Sequence, residues 1–236
     1  MDSSVAPDGA YVPESAFGDW FLGTETWKVH VLQRALADLE RLIPQRSPSY
    51  PVVLDVGCGW GRAFRMLKRE FKPERIVGVD ISAGMVAAAG AETAHLDFPV
   101  ELHRADCSHL PLENGSVDLV FCHQSFHHLV AQPEALGEFH RVLRRGGLLL
   151  FAESTRAYIH SWGIRLLFRH PMDVQRTAAE YIAMIRLAGF QLDEGAVSYP
   201  YLWWSRPDLG LAERVLGIQP KTGHEETLIN LVAVRP

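Results

Sequence analysis

Residues able to do chemistry recur at intervals along this chain, each near the end of an apolar run. Asp55, Asp80 and Asp106 close three such runs, and His123, His127 and His128 follow a fourth. Directly after Asp55 comes Gly57-Cys58-Gly59-Trp60-Gly61. A turn of this composition lets the backbone approach a ligand without interference from Cβ atoms. Its amides, feeding the start of a helix, favour negative charge. Asp80 ends the next run about twenty residues past the first glycine, where a carboxylate accepts hydrogen bonds from ribose hydroxyls. Glycine turns also close ordinary strand–helix loops, and aspartates cap turns. Three acids at the ends of consecutive runs favour ligand binding, because ligands of open α/β sheets bind at the carboxyl ends of strands. The cofactor is therefore expected to carry a nucleoside.

The histidines admit two kinds of chemistry, proton transfer and metal binding. On a helix His127 and His128 would point apart, and no carboxylate stands at ligand spacing, so no metal site is expected. As general base, His127 is the first choice, beside Phe126 in an apolar wall that would hold it neutral, with His128 and His123 as alternatives. Glu153, ending the fifth run, and His160 beyond it are further candidates.

The elements that must position these groups read as an alternating α/β pattern. Strands are expected near residues 52–56, 75–80, 100–105, 117–122 and 147–152, and helices near 62–70, 83–93 and 133–144, the last stopped by Gly146-Gly147. Ahead of them, residues 1–16 are rich in Pro, Gly, Ser and Asp and read as a loose arm. Residues 17–27 crowd Phe17, Trp20, Phe21, Leu22 and Trp27 together, and residues 27–43 form an amphipathic helix ended by Pro44. After Ser154, residues 158–168 have helical spacing with a basic face, which fits a cap over a pocket or a membrane surface, the cap being preferred. Residues 173–188 read as a helix, residues 191–201 and 226–234 as strands, and residues 202–225, with Trp203 and Trp204, as a second cap.

Asp55-Val56-Gly57-Cys58-Gly59-Trp60-Gly61 resembles the first motif of class I S-adenosylmethionine-dependent methyltransferases, and Val79-Asp80-Ile81-Ser82 resembles their second. The likeness continues through Arg104-Ala105-Asp106, Val117-Asp118-Leu119-Val120-Phe121-Cys122 and Leu143-Arg144-Arg145-Gly146-Gly147-Leu148-Leu149-Leu150-Phe151. It implies a seven-stranded, mostly parallel, doubly wound sheet with an antiparallel last strand. To this the chain adds a helical N-terminal cap and insertions after strands 5 and 6. Residues 1–48 then form the arm and cap helix, and residues 49–236 the methyltransferase domain, with cap insertions near 155–172 and 202–225.

The resemblance also implies S-adenosyl-L-methionine as cofactor. Asp55, Gly57, Cys58, Gly59 and Trp60 would hold its methionine end and Asp80 its ribose. Ile81 and Met85 would sandwich the adenine, Asp106 with Cys107 would meet the adenine amino group, and His123 would lie alongside. The acceptor is expected to meet Trp20, Phe21, Trp27, Phe126, His160 and Trp162, a set whose aromatic character predicts a small apolar or aromatic molecule. Oxygen and carbon acceptors are favoured and nitrogen stays open. An Asp/Asn-Pro-Pro-aromatic signature is absent, His123-Gln124-Ser125-Phe126 standing in its place, which speaks against DNA-adenine or protein-glutamine amide methylation.

Two other readings compete: a nicotinamide-dependent oxidoreductase, disfavoured by the glycine spacing, and a cofactor-binding scaffold without turnover. A net charge of −5 provides no basic field for nucleic acid. Three scattered cysteines, with no signal-peptide pattern and no long apolar run, predict a reducing cytoplasm and no stable membrane insertion. A homodimer is left open.

Overall fold

The computed structural model describes residue 12 and residues 15–220 and 223–236, so the arm expected over residues 1–16 lies almost wholly outside the described residues. The chain enters through α1 (Ala16–Leu22) and the single turn α2 (Glu25–Trp27), whose Trp27 amide donates to the Thr24 hydroxyl. A π-helical turn, Lys28–Leu32, leads into α3 (Gln33–Leu42). The amphipathic helix expected over residues 27–43 is therefore interrupted at its start. Such turns widen the backbone and are frequent beside functional sites.

The alternating core follows as β1 (Val52–Val56), α4 (Phe64–Phe71), β2 (Arg75–Asp80), α5 (Ala83–Thr93), β3 (Val100–Arg104), β4 (Val117–His123), α6 (Gln132–Val142) and β5 (Leu143–Ser154). Then come α7 (Arg156–Ile159), α8 (Trp162–Leu167), α9 (Ala178–Leu187), β6 (Val197–Ser198), α10 (Leu211–Leu216) and β7 (Leu228–Val234). The seven strands lie in the order β3-β2-β1-β4-β5-β7-β6, parallel except for β7, which runs antiparallel to both neighbours. Alternate strand residues face opposite sides of a sheet, and two apolar cores result. Val53, Leu119, Phe121 and Leu150 pack with Leu36, Leu39, Phe64 and Leu67 on the side of α3 and α4. Leu54, Val120, Leu149 and Phe151 pack with Phe139 and Tyr181 on the side of α6 and α9. Burial on both faces explains why β4 carries no exposed residue and reads as a continuous apolar run.

Four further expectations differ from the structure. The glycine pair Gly146-Gly147 does not stop a helix: α6 ends at Val142, and the pair lies inside β5, where the pairing with β4 slips from Val117↔Leu143 to Leu119↔Leu148. The helix expected over residues 158–168 is broken into α7 and α8, because Ser161 takes an extended conformation (ψ 146°). The helix expected from residue 173 begins at Ala178, where Thr177 and Glu180 form a reciprocal capping box. The strand expected over residues 191–201 shrinks to Val197–Ser198 and one bridge from Gln191 to Val234, since residues 194–196 coil into a 3₁₀ turn.

Candidate active site

The order of the strands reverses between β1 and β4, and their carboxyl ends open there into a crevice. Asp55, the glycine turn, Asp80, Asp106 and residues 123–128 all converge on it. A cleft of about 800 Å³ is lined by Gly57, Trp60, Asp80, Ile81, Met85 and Asp106. Next to it a cavity of about 510 Å³ is walled by Asp55, Cys58, Trp27 and His123. A third chamber, of about 520 Å³, lies under the N-terminal helices and the caps. Leu22 and Gln124 line all three.

The residues of the cleft and the neighbouring cavity fit S-adenosylmethionine. Asp55 is buried, and its Oδ2 has no hydrogen-bond partner within the protein, so a cationic group is the natural complement. Burial, and then the charge of Asp80, push its carboxyl well above the ordinary carboxylate range. Because an ammonium binds the ionised carboxylate, cofactor affinity is expected to strengthen as pH rises through that raised value and to level off above it. Asp55→Asn should flatten the dependence; calorimetry across mildly acidic to neutral pH checks this, and a flat wild-type profile would remove Asp55 from the ammonium.

Asp80 accepts N–H bonds from Gly59 (3.0 Å) and Ser82 (2.9 Å), so it shapes the glycine turn as well as facing the cleft. The turn's glycines serve different ends. At Gly59 (φ 52°) a Cβ would enter open space, whereas at Gly57 (φ 67°) it would come within 2.4 Å of the Ser125 Cβ. Gly57 is thus small because β4's exit turn packs on it. Gly57→Val is expected to lower the melting temperature strongly, and Gly59→Ala to weaken cofactor binding with only the smaller loss of stability that its positive φ imposes. Thermal unfolding and calorimetry separate the two effects.

The exit turn of β4 carries the histidines. Glu153 is fully buried; its Oε1 accepts the backbone N–H groups of Ser125 and Phe126, both at 2.8 Å, and its Oε2 lies 2.6 Å from His127 Nδ1. Both oxygens are therefore engaged. Glu153, expected as a candidate base, instead holds the turn Phe126–His128 and orients one imidazole. A carboxylate at Nδ1 fixes the proton there and leaves Nε2 with its lone pair. His127 lines the chamber. The expected divergence of His127 and His128 is not met: the 3₁₀ turn brings their ring centroids to 4.4 Å. His170, from the segment after α8, stands 5.1 Å from His127 and 4.9 Å from His128. Burial first, then nearby imidazoles, hold His128 well below its ordinary value and push His170 down to about 3.

His123 is drawn to the other side. It stacks on Phe121 and meets Trp27 edge-on, and burial pushes it down to about 4. It lines the Asp55 cavity and not the chamber where His127 and His128 stand.

Among the aromatic candidates, Phe21 and Trp27 do line the chamber, but four others do not. Phe126 is fully buried between Phe139, Phe151 and Tyr181, because its turn folds it into the core. Trp20 is 63% exposed, since α1 turns Phe21 and Leu22 inward. Trp162 is 79% exposed and His160 is exposed too, because α8 presents Ile164 to the chamber and His160 only ends α7. In their place stand Tyr158, Phe168, His170 and Trp204. Phe168 meets the rings of Phe17 and Phe21, and Trp204 Nε1 donates to the His30 carbonyl at 3.0 Å, so both insertions lock onto the N-terminal helices.

Gln124 is the other residue that sequence reasoning passed over. It is a non-glycine residue in the left-handed region (φ 50°), held by its own N–H to Ala152 O and by the Ser154 hydroxyl on its Oε1. Strain of about 1–3 kcal/mol at a place where all three spaces meet points to a functional residue. The available signal was its position in the place of the absent Pro-Pro signature.

The strand order, the crevice and the glycine turn define a class I methyltransferase fold. Residues 54–151 match the family model described as "Methyltransferase domain". Residues 54–151 are thus a methyltransferase domain of the class I, S-adenosylmethionine-dependent type. Among curated relatives, an uncharacterized 37.1 kDa protein of a Streptomyces fradiae transposon is 39% identical over 101 residues, 42% of this chain and 29% of that protein. A malonyl-[acyl-carrier protein] O-methyltransferase of Methylovorus sp. is 32% identical over 120 residues, 49% of this chain and 38% of that protein. The chain therefore spans well under half the length of either relative. The fold is shared with a chain of the complex between the Haloferax volcanii Trm112 methyltransferase activator and its methyltransferase (TM-score 0.67, 23% identity, 93% of this chain and 96% of that chain). No helix among the described residues is long and apolar enough to cross a membrane.

Proposed function

We propose that this protein methylates a small apolar or aromatic acceptor in the cytoplasm. The observation that carries this reading is the chamber itself, walled by Phe21, Trp27, Tyr158, Phe168 and Trp204 and adjoining the cofactor cleft at Gln124. Bound S-adenosylmethionine supplies a methyl group already activated by a sulfonium. What is left for the protein is alignment of the acceptor and handling of its proton. Aromatic walls stack an apolar acceptor and exclude water, and the histidines, with Gln124 and Ser154, are polar groups such an acceptor would meet. Oxygen acceptors and acidic carbons are favoured, because both must lose a proton near His127. Thermal shifts with S-adenosylhomocysteine and with NADH test the first half: stabilisation by the former alone is expected, and by NADH alone would restore the oxidoreductase reading. Methyl transfer from labelled cofactor to a panel of phenols, enols and carboxylic acids tests the second. Transfer confined to polar, highly charged acceptors would contradict the chamber's character.

A further inference from the structure

We infer that His127, His128 and His170 form the binding site of one divalent transition-metal ion of the zinc type, facing the acceptor chamber. One ring nitrogen from each of the three lies within 4.8 Å of the others. Two come from the exit turn of β4 and the third from the insertion after β5, so no motif of regular spacing announces the cluster. All three line the chamber. Zinc–imidazole bonds of about 2.0–2.1 Å in tetrahedral geometry would place the nitrogens roughly 3.3 Å apart. His170 lies between the end of α8 and the 3₁₀ turn at residues 172–174, outside any helix or strand that would resist its movement.

The surroundings match what a metal ligand requires. Glu153 holds His127 at Nδ1, the arrangement in which a carboxylate behind a histidine fixes its tautomer and presents Nε2 to an ion. The backbone of the same turn is pinned by Gln175, whose Nε2 donates to the His127 carbonyl at 2.8 Å. Three imidazole donors with no carboxylate among them favour zinc, cobalt, nickel or copper over magnesium or calcium. Three protein ligands also leave a coordination position open, as catalytic rather than structural zinc sites do.

An acceptor oxygen at that open position would lose its proton to water more readily, the ion weakening the O–H bond as a Lewis acid. His127 would then act as a ligand, and the ion would do the work expected of a base. This last step rests on the methyl-transfer reading, whereas binding of the ion does not.

The test uses untagged full-length protein equilibrated with zinc, passed over a desalting column and assayed by mass spectrometry. About one zinc per chain is expected, with affinity at least tenfold weaker in His170→Ala and in His128→Ala. S-adenosylhomocysteine binding and the melting temperature of the zinc-free protein serve as independent controls and should be close to wild type in His170→Ala, whereas added zinc should raise the melting temperature of wild type more than that of the variant. Cobalt-loaded protein should show the visible bands of a four-coordinate site, lost in the same variant. Wild-type protein that retains no zinc, or His170→Ala that retains as much as wild type, overturns the site. Either result would leave the cofactor reading standing, since that is measured separately.

Discussion

Asp80→Ala is expected to weaken S-adenosylmethionine binding by about 30- to 1000-fold while the domain stays folded. The carboxylate ends β2 and lines the cleft of about 800 Å³. Losing two charge-assisted hydrogen bonds to a ribose costs on the order of 2–4 kcal/mol, which sets that range. The structure adds a second source of loss. The same carboxylate accepts the Gly59 N–H and the Ser82 N–H, so its removal also loosens the turn that meets the methionine end. Burial raises its carboxyl above the ordinary value even though the N–H groups of Ser82, Gly59 and Ile81 pull the other way. Asp80→Asn keeps the shape but not the charge and should fall between wild type and alanine. Calorimetry with S-adenosylhomocysteine measures all three proteins, and an unchanged affinity in Asp80→Ala would detach Asp80 from the ribose.

How much of this site was legible beforehand depends on how local its causes are. That Asp55, Asp80 and Asp106 line the crevice could be foreseen because strand ends, glycine turns and helix starts are written in adjacent residues. For the same reason β1, β2 and α5 have the bounds that the sequence predicts. The acceptor side is different. Trp20 and Phe21 are neighbours of equal hydrophobic weight, and only the docking of α1 on Phe168 decides which of them faces inward. Trp162 and Ile164 differ in the same way on α8. The role of Glu153 was hidden because it depends on the turn after β4 folding back over the end of β5, a contact between residues far apart in sequence. His170 carried no signal at all, since its partners lie across the chamber in another element. The break in residues 158–168 and the short β6 show the same limit: apolar spacing reports a buried face but not where the backbone must turn.

His127→Ala is expected to lower turnover by about 10²- to 10⁴-fold, with S-adenosylhomocysteine affinity nearly unchanged. His127 lines the acceptor chamber but not the cofactor cleft, so its loss should spare cofactor binding. The expected loss is similar whether its Nε2 takes the acceptor's proton directly or holds an ion that weakens the O–H bond, because the barrier in both cases is loss of that proton. Glu153→Gln separates orientation from mere packing. A glutamine can still offer one oxygen to the N–H groups of Ser125 and Phe126, which Glu153 now holds at 2.8 Å. Its amide NH₂ would then meet Nδ1, 2.6 Å away in the native pair, and favour the tautomer with the proton on Nε2. That nitrogen could neither accept a proton nor bind a metal. Glu153→Gln should therefore reduce kcat with KM close to the wild-type value, in a protein that still melts as a folded domain. Steady-state kinetics on an acceptor found in the methyl-transfer screen decides the matter. If His127→Ala keeps turnover within about threefold and changes only KM, the imidazole is a wall of the chamber, and the proton leaves by another route.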